Sequence, residues 1–529
     1  MAEESEFRAV VSKGHVYDIR GVEVQFPFEA YGCQKVYMEK VILALHNGQN
    51  ALLESPTGTG KTLCLLCGVL AWRAQIVERL QLEPQTLQER GLDPESAPLQ
   101  TDTKRKSRFG EFHQKPTSHI IIYSSRTHTQ IQQVVKELKA SKYRPKMAIL
   151  GSRSQMCIHP EISKLFGTRQ NHACRSLVSK KACCFHKNLA DLDEIDAELD
   201  TVLDIEDLVQ IGTKREFCPY YYSRKSLEVS ELILMPYNYL IDPKIRKTLD
   251  SQTIFPNSVI IFDEAHNLEQ VCSEASSFDL RAVDVASAIR EITALMRNAT
   301  DQNNRGEEIA VSVEELAQLK TIFLELENAI DKLKIDSSHP GEFIFKIFGS
   351  INVLPGNVGA LMDFIASLER QLEDPENGHE AANNPSRAPS SLEHFGDFLR
   401  LVFDHDDARK HARSYRVHIH MPDKRKTRRD FFGAAPAKPA PTLSFWCFNP
   451  GFAMKGLLDH QVRSVVLTSG TLSPLDSFAA EFSMDFPIRL ENPHVISAKQ
   501  LCINVISKGP TGEILDSSYR NRGNLRYKT

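Results

Sequence analysis

Short apolar runs alternate with segments of helical periodicity through the first half of the chain. The runs ALLES, HIIIYSS, MAILGS, ELILMPY and SVIIFDE are typical of buried strands. Residues 34–47 and the segment TQIQQVVKELKA place apolar side chains at the spacing of a helix face. Because alternating strands and helices favour a parallel sheet, this pattern predicts an α/β fold with a doubly wound parallel sheet.

Two segments interrupt the alternation. Residues 152–230, the cysteine insertion, carry scattered cysteines and little periodicity. Residues 275–440, the second insertion, consist mostly of predicted helices, with a linker rich in Pro, Asn and Gly at 374–391. Sheet character returns at LSFWCF and SVVLTSGTL. The polar stretch 81–118 lacks periodicity, and we expect a mobile insertion there.

Composition sets limits on the class of protein. A chain of 529 residues, 41% hydrophobic and 25% charged, is long enough for several domains with large cores. The charged start MAEESEFR argues against a secretion signal, and the longest apolar stretch near it, 63–72, covers half a membrane span. We therefore expect no membrane partner, and we expect the eleven cysteines to be thiols, metal ligands or cluster ligands.

The net charge of −4 does not by itself indicate nucleic-acid binding, although a local basic lining is enough for phosphate contacts. Basic stretches occur at 104–108, 142–146 and 424–429. A solvated loop explains each of them equally well, and the last also fits a nuclear import signal.

A glycine-rich loop between a predicted strand and a predicted helix carries the strongest chemical signal. A phosphate chain needs backbone N–H groups that converge at a helix N-terminus, and glycines let that backbone come close. Lys61 is expected to reach the β- and γ-phosphates of ATP, and the Thr62 hydroxyl to bind Mg²⁺. The predicted nucleotide-binding loop comprises Ser55, Pro56, Thr57, Gly58, Thr59, Gly60, Lys61 and Thr62. Ser55 stands where the strict pattern has glycine, a variant that favours helicases.

An acidic pair, Asp263 and Glu264, follows the apolar run VIIF. An Asp at the end of a strand can hold the Mg²⁺ of ATP, and the adjacent Glu can orient and deprotonate the attacking water. A helix cap also explains such a pair, but the upstream P-loop favours catalysis. His266 is predicted to sense the nucleotide through the loop at 468–471. The predicted catalytic residues are therefore Lys61, Asp263, Glu264 and His266.

The segment FPFEAYGCQ precedes the P-loop. The amide of Gln34 is suited to reading the adenine edge, and Phe28 to stacking on the ring. Without the P-loop the same residues indicate only a hydrophobic contact and the start of a helix.

Several cysteines lie in the cysteine insertion, where no packed core is predicted to order the chain. They are Cys157, Cys174, Cys183 and Cys218, with Cys184 beside the third. Widely spread thiolates suit an iron–sulfur cluster, whereas structural zinc sites usually contain closely spaced cysteine pairs. The spacing favours a cluster, and zinc stays open as the alternative.

Taken together, these motifs resemble the iron–sulfur superfamily 2 DNA helicases of the xeroderma pigmentosum group D type. The likeness rests on ESPTGTGKTLCLLC, YSSRTHTQ, LGSRSQMCIHP, FCPYYYSR, MPYNYL, FDEAHN, VHIH, FWCF and VLTSGTL. It implies a RecA-like P-loop lobe with an inserted 4Fe–4S domain and an inserted α-helical arch domain. The implied cluster ligands are Cys157, Cys174, Cys183 and Cys218, with Cys184 a bystander.

The resemblance also implies a division of the chain and a function. It assigns 1–151, 231–274 and 441–500 to the first lobe, 152–230 to the cluster domain, 275–440 to the arch, and 501–529 to the start of a second lobe. Arg126, Thr127 and Gln130 are implied contacts to single-stranded DNA. The implied activity is 5′-to-3′ translocation and unwinding driven by ATP and Mg²⁺. Junctions and displacement loops are the implied DNA partners, in a nuclear role in telomere maintenance, DNA repair and recombination.

The second lobe of this family carries a Q-x-x-G-R-x-x-R segment with an arginine finger, and that segment does not occur in the 529 residues. We therefore expect half of the catalytic cleft to be missing and strand separation to need a longer form. Two other functions stay open: a fragment that binds ATP or DNA without turnover, and a zinc-dependent ATPase of unrelated role. The sequence does not indicate protein partners or oligomeric state.

Overall fold

The computed structural model describes residues 14–89, 119–190, 201–249, 251–305, 311–373, 391–404, 407–421, 440–496, 498–510, 512–516 and 518–521. The strands are β1 His15–Ile19, β2 Val22–Phe26, β3 Ala51–Glu54, β4 Ile121–Ser125, β5 Met147–Ile149, β6 Leu232–Pro236, β7 Val259–Asp263, β8 Phe278–Arg281, β9 Ser337–Pro340, β10 Tyr415–His420, β11 Thr442–Cys447, β12 Ser464–Ser469 and β13 Ile488–Glu491.

The α-helices follow the same chain order. They are α1 Gly32–Asn47, α2 Lys61–Glu89, α3 His128–Ala140, α4 Arg153–Met156, α5 Gly167–Ser179, α6 Cys184–Lys187, α7 Ile205–Lys214, α8 Pro219–Lys225, α9 Tyr237–Ile241, α10 Pro243–Arg246, α11 Ser251–Ile254, α12 Leu268–Ala275, α13 Ala282–Arg305, α14 Val313–Asp331, α15 Phe343–Ser350, α16 Val358–Glu373, α17 Ser391–Phe403, α18 Ala408–Ala412, α19 Gly451–Leu458 and α20 Leu475–Glu481. No helix in the described part of the chain is long and apolar enough to cross a membrane.

The central element is a seven-stranded parallel sheet in the order β13-β3-β12-β7-β4-β6-β5. Its inner strands β12, β7, β4 and β6 are buried along their whole length, as in SVVLTS of β12 and VIIFD of β7. Strands covered on both faces by helices are continuously apolar, which is why the sequence pattern identified them. The predicted α/β fold with a parallel sheet is confirmed. We call this sheet with its flanking helices the P-loop lobe.

Apolar side chains of the sheet pack against helices on both faces of the P-loop lobe. On one face α1 and α2 bury residues such as Val41, Leu65 and Trp72. On the other, α9, α12, α19 and α20 form a separate core around Phe262 and Leu467. α1 ends at Gly48, whose φ of 62° is in the left-handed region that glycine adopts without strain.

The cysteine insertion is built of the short helices α4 to α8 rather than irregular chain. Its amphipathic helix α7 turns Ile205 and Leu208 into the core of the P-loop lobe. Lys139 of α3 and Asp207 of α7 form an ion pair of 2.7 Å across the junction. The insertion is therefore docked on α3 by one apolar face and a polar rim.

The second insertion has a core of its own. Strands β8, β9, β10 and β11 form an antiparallel sheet in the order β8-β11-β10-β9, covered by helices that include α13, α14 and α17. This core is mostly aliphatic and includes several aromatic side chains, of which Phe323, Phe348 and Phe395 are fully buried.

Two sequence-based boundaries differ from the structure. Strand β11, which the sequence assigns to the P-loop lobe with 441–500, pairs instead with β8 and β10, so the second insertion extends beyond residue 440. A strand's own sequence does not say which sheet it joins. Helix α2 continues through 81–89, where no regular structure is expected from the sequence, because Leu, Gln and Glu are good helix formers. The basic stretches 104–108 and 424–429 lie outside the described residues, as does most of the linker.

Candidate functional site

The loops that follow β3, β4, β7 and β12 meet at one edge of the parallel sheet. Parallel strands all present their carboxyl ends at the same edge, and ligands of open α/β sheets bind there. The register places Leu53 beside Thr468 and Thr468 beside Asp263. The P-loop, the acidic pair and the loop at 468–471 are thereby brought together from distant parts of the chain.

The P-loop joins the end of β3 directly to the first residue of α2, Lys61. Gly58 and Gly60 have φ values of 83° and 72°, a conformation that a side chain at these positions would strain. Thr59 closes the loop from inside, because its hydroxyl bonds Ser55 Oγ at 2.9 Å and donates to the Pro56 carbonyl at 2.8 Å. The result is a rigid backbone loop at the positive end of a helix, where phosphate binds.

Ser55, at the position where the strict P-loop pattern has glycine, makes specific hydrogen bonds. Its Oγ accepts a hydrogen bond of 3.3 Å from Asn492 Nδ2, which also donates to the Cys33 carbonyl. Its backbone N–H donates to the Ser469 carbonyl at 3.0 Å. The serine therefore links the P-loop to both neighbouring strands.

Gln34 lies against the P-loop. Its Nε2 donates to the Thr59 carbonyl at 2.9 Å, and its Oε1 accepts from the Tyr31 backbone N–H at 2.9 Å. In this arrangement the amide orients the loop and the start of α1. Phe28 is exposed nearby along the chain, with its ring unburied. Adenine recognition by these two residues stays a prediction.

Asp263 and Glu264 occupy the end of β7 in different surroundings. Asp263 is only 6% exposed, and its Oδ2 accepts a hydrogen bond of 2.7 Å from Tyr123 Oη while Oδ1 accepts from the Glu264 backbone N–H at 2.9 Å. Burial raises the pKa of Asp263, and the Tyr123 hydrogen bond and the nearby Lys61 charge oppose that rise. Glu264 is less buried and adopts a left-handed backbone conformation with φ 59°.

A line of polar contacts runs from Glu264 to the loop after β4. His266 Nδ1 lies 2.7 Å from Ser469 Oγ, which donates to Glu264 Oε2 at 3.3 Å. On the other side of the ring, His266 Nε2 lies 2.7 Å from Asn267 Nδ2, and Arg126 Nη1 donates to Asn267 Oδ1 at 2.8 Å. The predicted contact between His266 and the loop at 468–471 is present, and Asn267 extends it to an exposed arginine.

The other two predicted DNA contacts have a structural use. Thr127 caps α3, with its hydroxyl accepting from the Gln130 backbone N–H, and the Gln130 side chain accepts from the Thr127 backbone N–H at 3.0 Å. This capping box orients the helix next to Arg126. A role of Thr127 and Gln130 in DNA binding stays a prediction.

The loop after β12 is tied to the strand that precedes the P-loop. Glu54 Oε2 accepts hydrogen bonds of 2.6 Å from the backbone N–H groups of both Leu472 and Ser473. Gly470 lies so close that a β-carbon there would be 3.0 Å from Thr57 Oγ1. The two loops therefore form one surface.

Three cysteines of the cysteine insertion share one backbone geometry. Cys157, Cys183 and Cys218 flank short helices with φ between −82° and −77° and ψ between 110° and 122°. Each sulfur accepts backbone N–H groups from the turn that follows it, which favours the thiolate. Burial is nevertheless the larger effect, and it raises the pKa of all three thiols, that of Cys218 to about 11.

Cys174 approaches this group from α5. It is close enough to raise the pKa of Cys157 and Cys183, and its sulfur hydrogen-bonds Arg153, whose guanidinium lies 4.2 Å from the Tyr220 ring centre. Within the described residues, no three Cys, His, Asp or Glu side chains converge as the ligands of a single metal ion would. The four cysteines are neighbours, because each of them raises the pKa of another of the four or has its own pKa raised by one.

The sequence of this chain matches two family models and several curated relatives. Residues 123–285 match the DEAD_2 family model, and residues 287–450 match the model described as RTEL1 helicase, ARCH domain. Regulator of telomere elongation helicase 1 homologs of Oryza sativa subsp. japonica and Arabidopsis thaliana are 42% and 41% identical over 97% of this chain. Regulator of telomere elongation helicase 1 of Homo sapiens is 38% identical over 95% of it. Over nearly its whole length, the chain is therefore similar to the regulators of telomere elongation helicase.

The chain spans about half the length of the curated relatives it matches: 52% of the Oryza protein, 48% of the Arabidopsis protein and 43% of the human one. The ARCH-domain match of this helicase family continues to residue 450, and so includes β11. That agrees with the antiparallel pairing of β11 in the second insertion, which we now call the arch.

Sequence reasoning missed several residues at the nucleotide edge of the P-loop lobe. Tyr123, Asn267, Asn492 and Glu54 each connect two motifs, and each acts on a partner far away in the sequence. The signal for Tyr123 is a hydroxyl inside the otherwise apolar run HIIIYSS, where a buried tyrosine needs a hydrogen-bond partner. The others carry no such signal, because their partners are defined only by the fold.

Proposed function

We propose that this chain provides the ATP-binding lobe, the cluster domain and the arch of an ATP-dependent DNA helicase that moves 5′ to 3′ on single-stranded DNA. The observation that carries the proposal is the meeting of the P-loop, the Asp263–Glu264 pair and the Ser469 loop at one sheet edge. Each supplies a different requirement of phosphoryl transfer: phosphate binding, metal binding with a base, and a sensor.

At the proposed ATP site each residue contributes a different chemical group. The N–H groups at the start of α2 and Lys61 hold the phosphates, and Thr62 with Asp263 offers the hydroxyl and carboxylate oxygens that suit Mg²⁺. Bound Mg²⁺ would neutralise charge on the phosphate oxygens. Glu264, less buried than Asp263, accepts the proton of the attacking water, and Ser469 and His266 fix its orientation.

We also propose that Cys157, Cys174, Cys183 and Cys218 hold a 4Fe–4S cluster. Widely spaced cysteines suit that group better than tetrahedral zinc, whose sites usually contain closely spaced cysteine pairs. The four cysteines are near enough to affect one another's pKa, as the ligands of one group must be. Backbone N–H groups directed at three of the sulfurs would stabilise the thiolates. The group would supply a covalent link among the four helices that carry the cysteines.

Single-stranded DNA is the proposed track, with junctions or displacement loops as the structures acted on. Arg126 is exposed and lies at the end of the contact line that begins at Glu264. A phosphate bound there would act on the same residues that orient the base. The names of the family members add telomere maintenance, and with it a nuclear location and roles in repair and recombination, to the proposal.

The test uses the full chain purified without oxygen. We expect Mg²⁺-dependent binding of ATP and binding of single-stranded DNA that weakens steeply with salt. Hydrolysis should be slow, because the arginine-finger segment does not occur in these residues, although DNA should raise it above the basal rate. The matched control is Glu264→Gln, which should keep ATP binding and lose hydrolysis. A folded chain that binds neither ATP nor DNA would contradict the proposal, and zinc in place of iron and sulfide would contradict the cluster.

A further inference from the structure

Three buried tyrosines lie under the nucleotide edge, and their hydroxyl groups bond different partners. Tyr37 Oη lies 2.6 Å from Thr468 Oγ1, and Tyr237 Oη donates to the Asp263 backbone carbonyl. Tyr123 Oη donates to the Asp263 carboxylate at 2.7 Å. All three side chains are 2% exposed or less. They are similar in size and burial, so they can be compared as a set.

Tyr123 differs because it touches two proposed metal ligands at once. While its hydroxyl hydrogen is directed at Asp263 Oδ2, its oxygen faces the Thr62 hydroxyl, which opposes the rise in the pKa of the phenol as a hydrogen-bond donor does. The phenol therefore bridges β7 and the first turn of α2 from a position on β4, the strand next to β7. Neither Tyr37 nor Tyr237 bonds a carboxylate or hydroxyl oxygen of these two ligands.

The direction of these hydrogen bonds matters for a cation. A divalent cation binds to oxygen lone pairs, so a hydroxyl ligand must direct its hydrogen elsewhere. When the Thr62 hydroxyl directs its hydrogen at Tyr123, its oxygen lone pairs stay available for the metal. Asp263 Oδ2 receives one donor from Tyr123, and Oδ1 receives one from the Glu264 backbone, so the carboxylate plane is fixed while each oxygen keeps capacity.

We infer that Tyr123 is a positioning residue for the divalent cation of the nucleotide site: its hydroxyl orients Thr62 and Asp263 as one preformed pair of ligands. The inference rests on the proposed ATP site. Tyr123 itself does not touch the nucleotide, and its effect is on the metal dependence of binding rather than on nucleotide binding as such.

The experiment titrates Mg²⁺ into the full chain with a fluorescent ATP analogue and compares wild type with Tyr123→Phe. A hydrogen bond to a charged group contributes about 1.5–3 kcal/mol, so the Mg²⁺ concentration at half effect should rise at least about tenfold. The dissociation constant of the analogue in EDTA should stay within about twofold, because that state contains no cation to orient. Tyr37→Phe is the matched control and should leave the Mg²⁺ midpoint near wild type.

Thr62→Val removes the other hydroxyl of the same contact. It tests the inference even if Tyr123→Phe does not fold. It should raise the Mg²⁺ midpoint at least as much, and Tyr123→Phe should add little to it if the two hydroxyls act together. An unchanged midpoint in Tyr123→Phe overturns the inference, as does an equal shift in Tyr37→Phe. A wild-type chain whose nucleotide binding ignores Mg²⁺ overturns the proposed function, and the inference with it.

Discussion

The nucleotide edge and the cysteine insertion are neighbours that are stabilised in opposite ways. At the nucleotide edge, four motifs lie on strands buried on both faces, and their polar groups bond one another: Asp263 with Tyr123, and Glu264 with Ser469. The cysteine insertion consists of helices of four to thirteen residues, and apolar residues of α4, α7 and α8 share the core of the P-loop lobe. Three of its proposed ligand cysteines lie at helix ends, and of these only Cys218 is buried.

The difference shows where each region's order comes from. The nucleotide edge is preformed by the sheet, so the chain alone fixes the positions of its catalytic groups. Helices as short as those of the cysteine insertion are marginal in isolation and need a tertiary constraint. We expect the proposed cluster to supply that constraint, so the two regions should respond differently to the same kind of change.

The largest expected effect is on the cysteine insertion. Cys218→Ser should abolish iron content and visible absorbance and expose residues 152–230 to amide exchange. Loss of one thiolate removes the proposed cluster, and the short helices then lack the constraint that stabilises them. ATP binding should stay within about twofold, since the parallel sheet positions the nucleotide edge. Iron analysis, hydrogen exchange and ATP titration measure the three effects.

Cys184→Ser is the control for that change. Cys184 is exposed and adjacent to Cys183, yet it is not among the proposed ligands. We expect it to keep iron and protection at wild-type levels. Loss of ATP binding in Cys218→Ser would break the comparison, because it would show that the lobe depends on the cluster.

The second prediction separates two residues of the nucleotide edge. Glu264→Gln should lower DNA-stimulated hydrolysis by about 10²–10⁴ with ATP affinity nearly unchanged, because a general base is lost and the metal ligand is spared. Lys61→Ala should weaken ATP binding itself by removing a charge that faces phosphate. The measurements are the hydrolysis rate and the equilibrium ATP affinity of both variants. An equal loss of ATP affinity in both would refute separate roles for Glu264 as base and Lys61 as phosphate ligand.

The third prediction concerns the sheet that preforms the edge. Ile261 of β7 is 1% exposed, and Ile261→Ala should lower the free energy of unfolding of the lobe by about 2–5 kcal/mol through a cavity. Denaturant titration monitored in the lobe gives the value. A loss below about 1 kcal/mol would show that β7 is less tightly packed than its burial indicates.

A smaller effect is expected in the line of contacts from Glu264 to Arg126. Asn267→Ala removes the amide that touches both His266 and Arg126. Stimulation of hydrolysis by DNA should fall about fivefold, at the low end of typical coupling free energies, while ATP affinity stays constant. The ratio of rates with and without single-stranded DNA is the measurement. An unchanged ratio would mean that DNA signals reach Glu264 by another route.

The smallest effect is expected at the junction of the two regions, where Lys139 pairs with Asp207. Burial raises the pKa of Asp207, but Lys139 and the Asp204 backbone together bring it below the ordinary value. The ion pair therefore stabilises the docked insertion at neutral pH, and this stability is lost as pH falls through the lowered pKa.

Asp207→Asn tests that contact at the junction. Because the pair is partly exposed, the variant should cost only about 0.2–1 kcal/mol at pH 7. The difference from wild type should disappear in acid, where Asp207 is protonated in both states of the chain. Denaturant midpoints at several pH values measure it, and a difference that grows on acidification would contradict a stabilising role for the Asp207 carboxylate.

The sequence predicted the parallel sheet well because burial of a strand on both faces is visible in its own residues. Runs such as VIIF and SVVL are apolar on both faces, and that pattern has few other meanings. The short edge strand β13, with sequence IRLE, has no such run and was missed. The hairpin of β1 and β2 was also missed, although its turn at Arg20 and Gly21, both with positive φ, is a pattern that hairpins favour.

The candidate site was predictable only in part for the same reason. Lys61, Asp263 and the cysteines carry chemistry in their residue types and local spacing. Tyr123 and Asn267 do not, because their partners lie 140 and 141 positions away. Long-range hydrogen bonds of ordinary residues leave no local pattern, and these residues become visible only when the fold brings the strands together.

The position of β12 has a consequence for synthesis on the ribosome. This strand lies between β3 and β7, yet the bond that ties its following loop to β3, from Leu472 to Glu54, spans 418 positions. At about 5–20 residues per second, roughly 20–80 s pass between translation of the two partners. Until β12 is translated, the edges of β3 and β7 that it joins have no neighbour, although the arch, whose last strand is β11, is translated before it. Nascent chains of this protein should therefore expose strand edges that chaperones bind until β12 pairs with both strands.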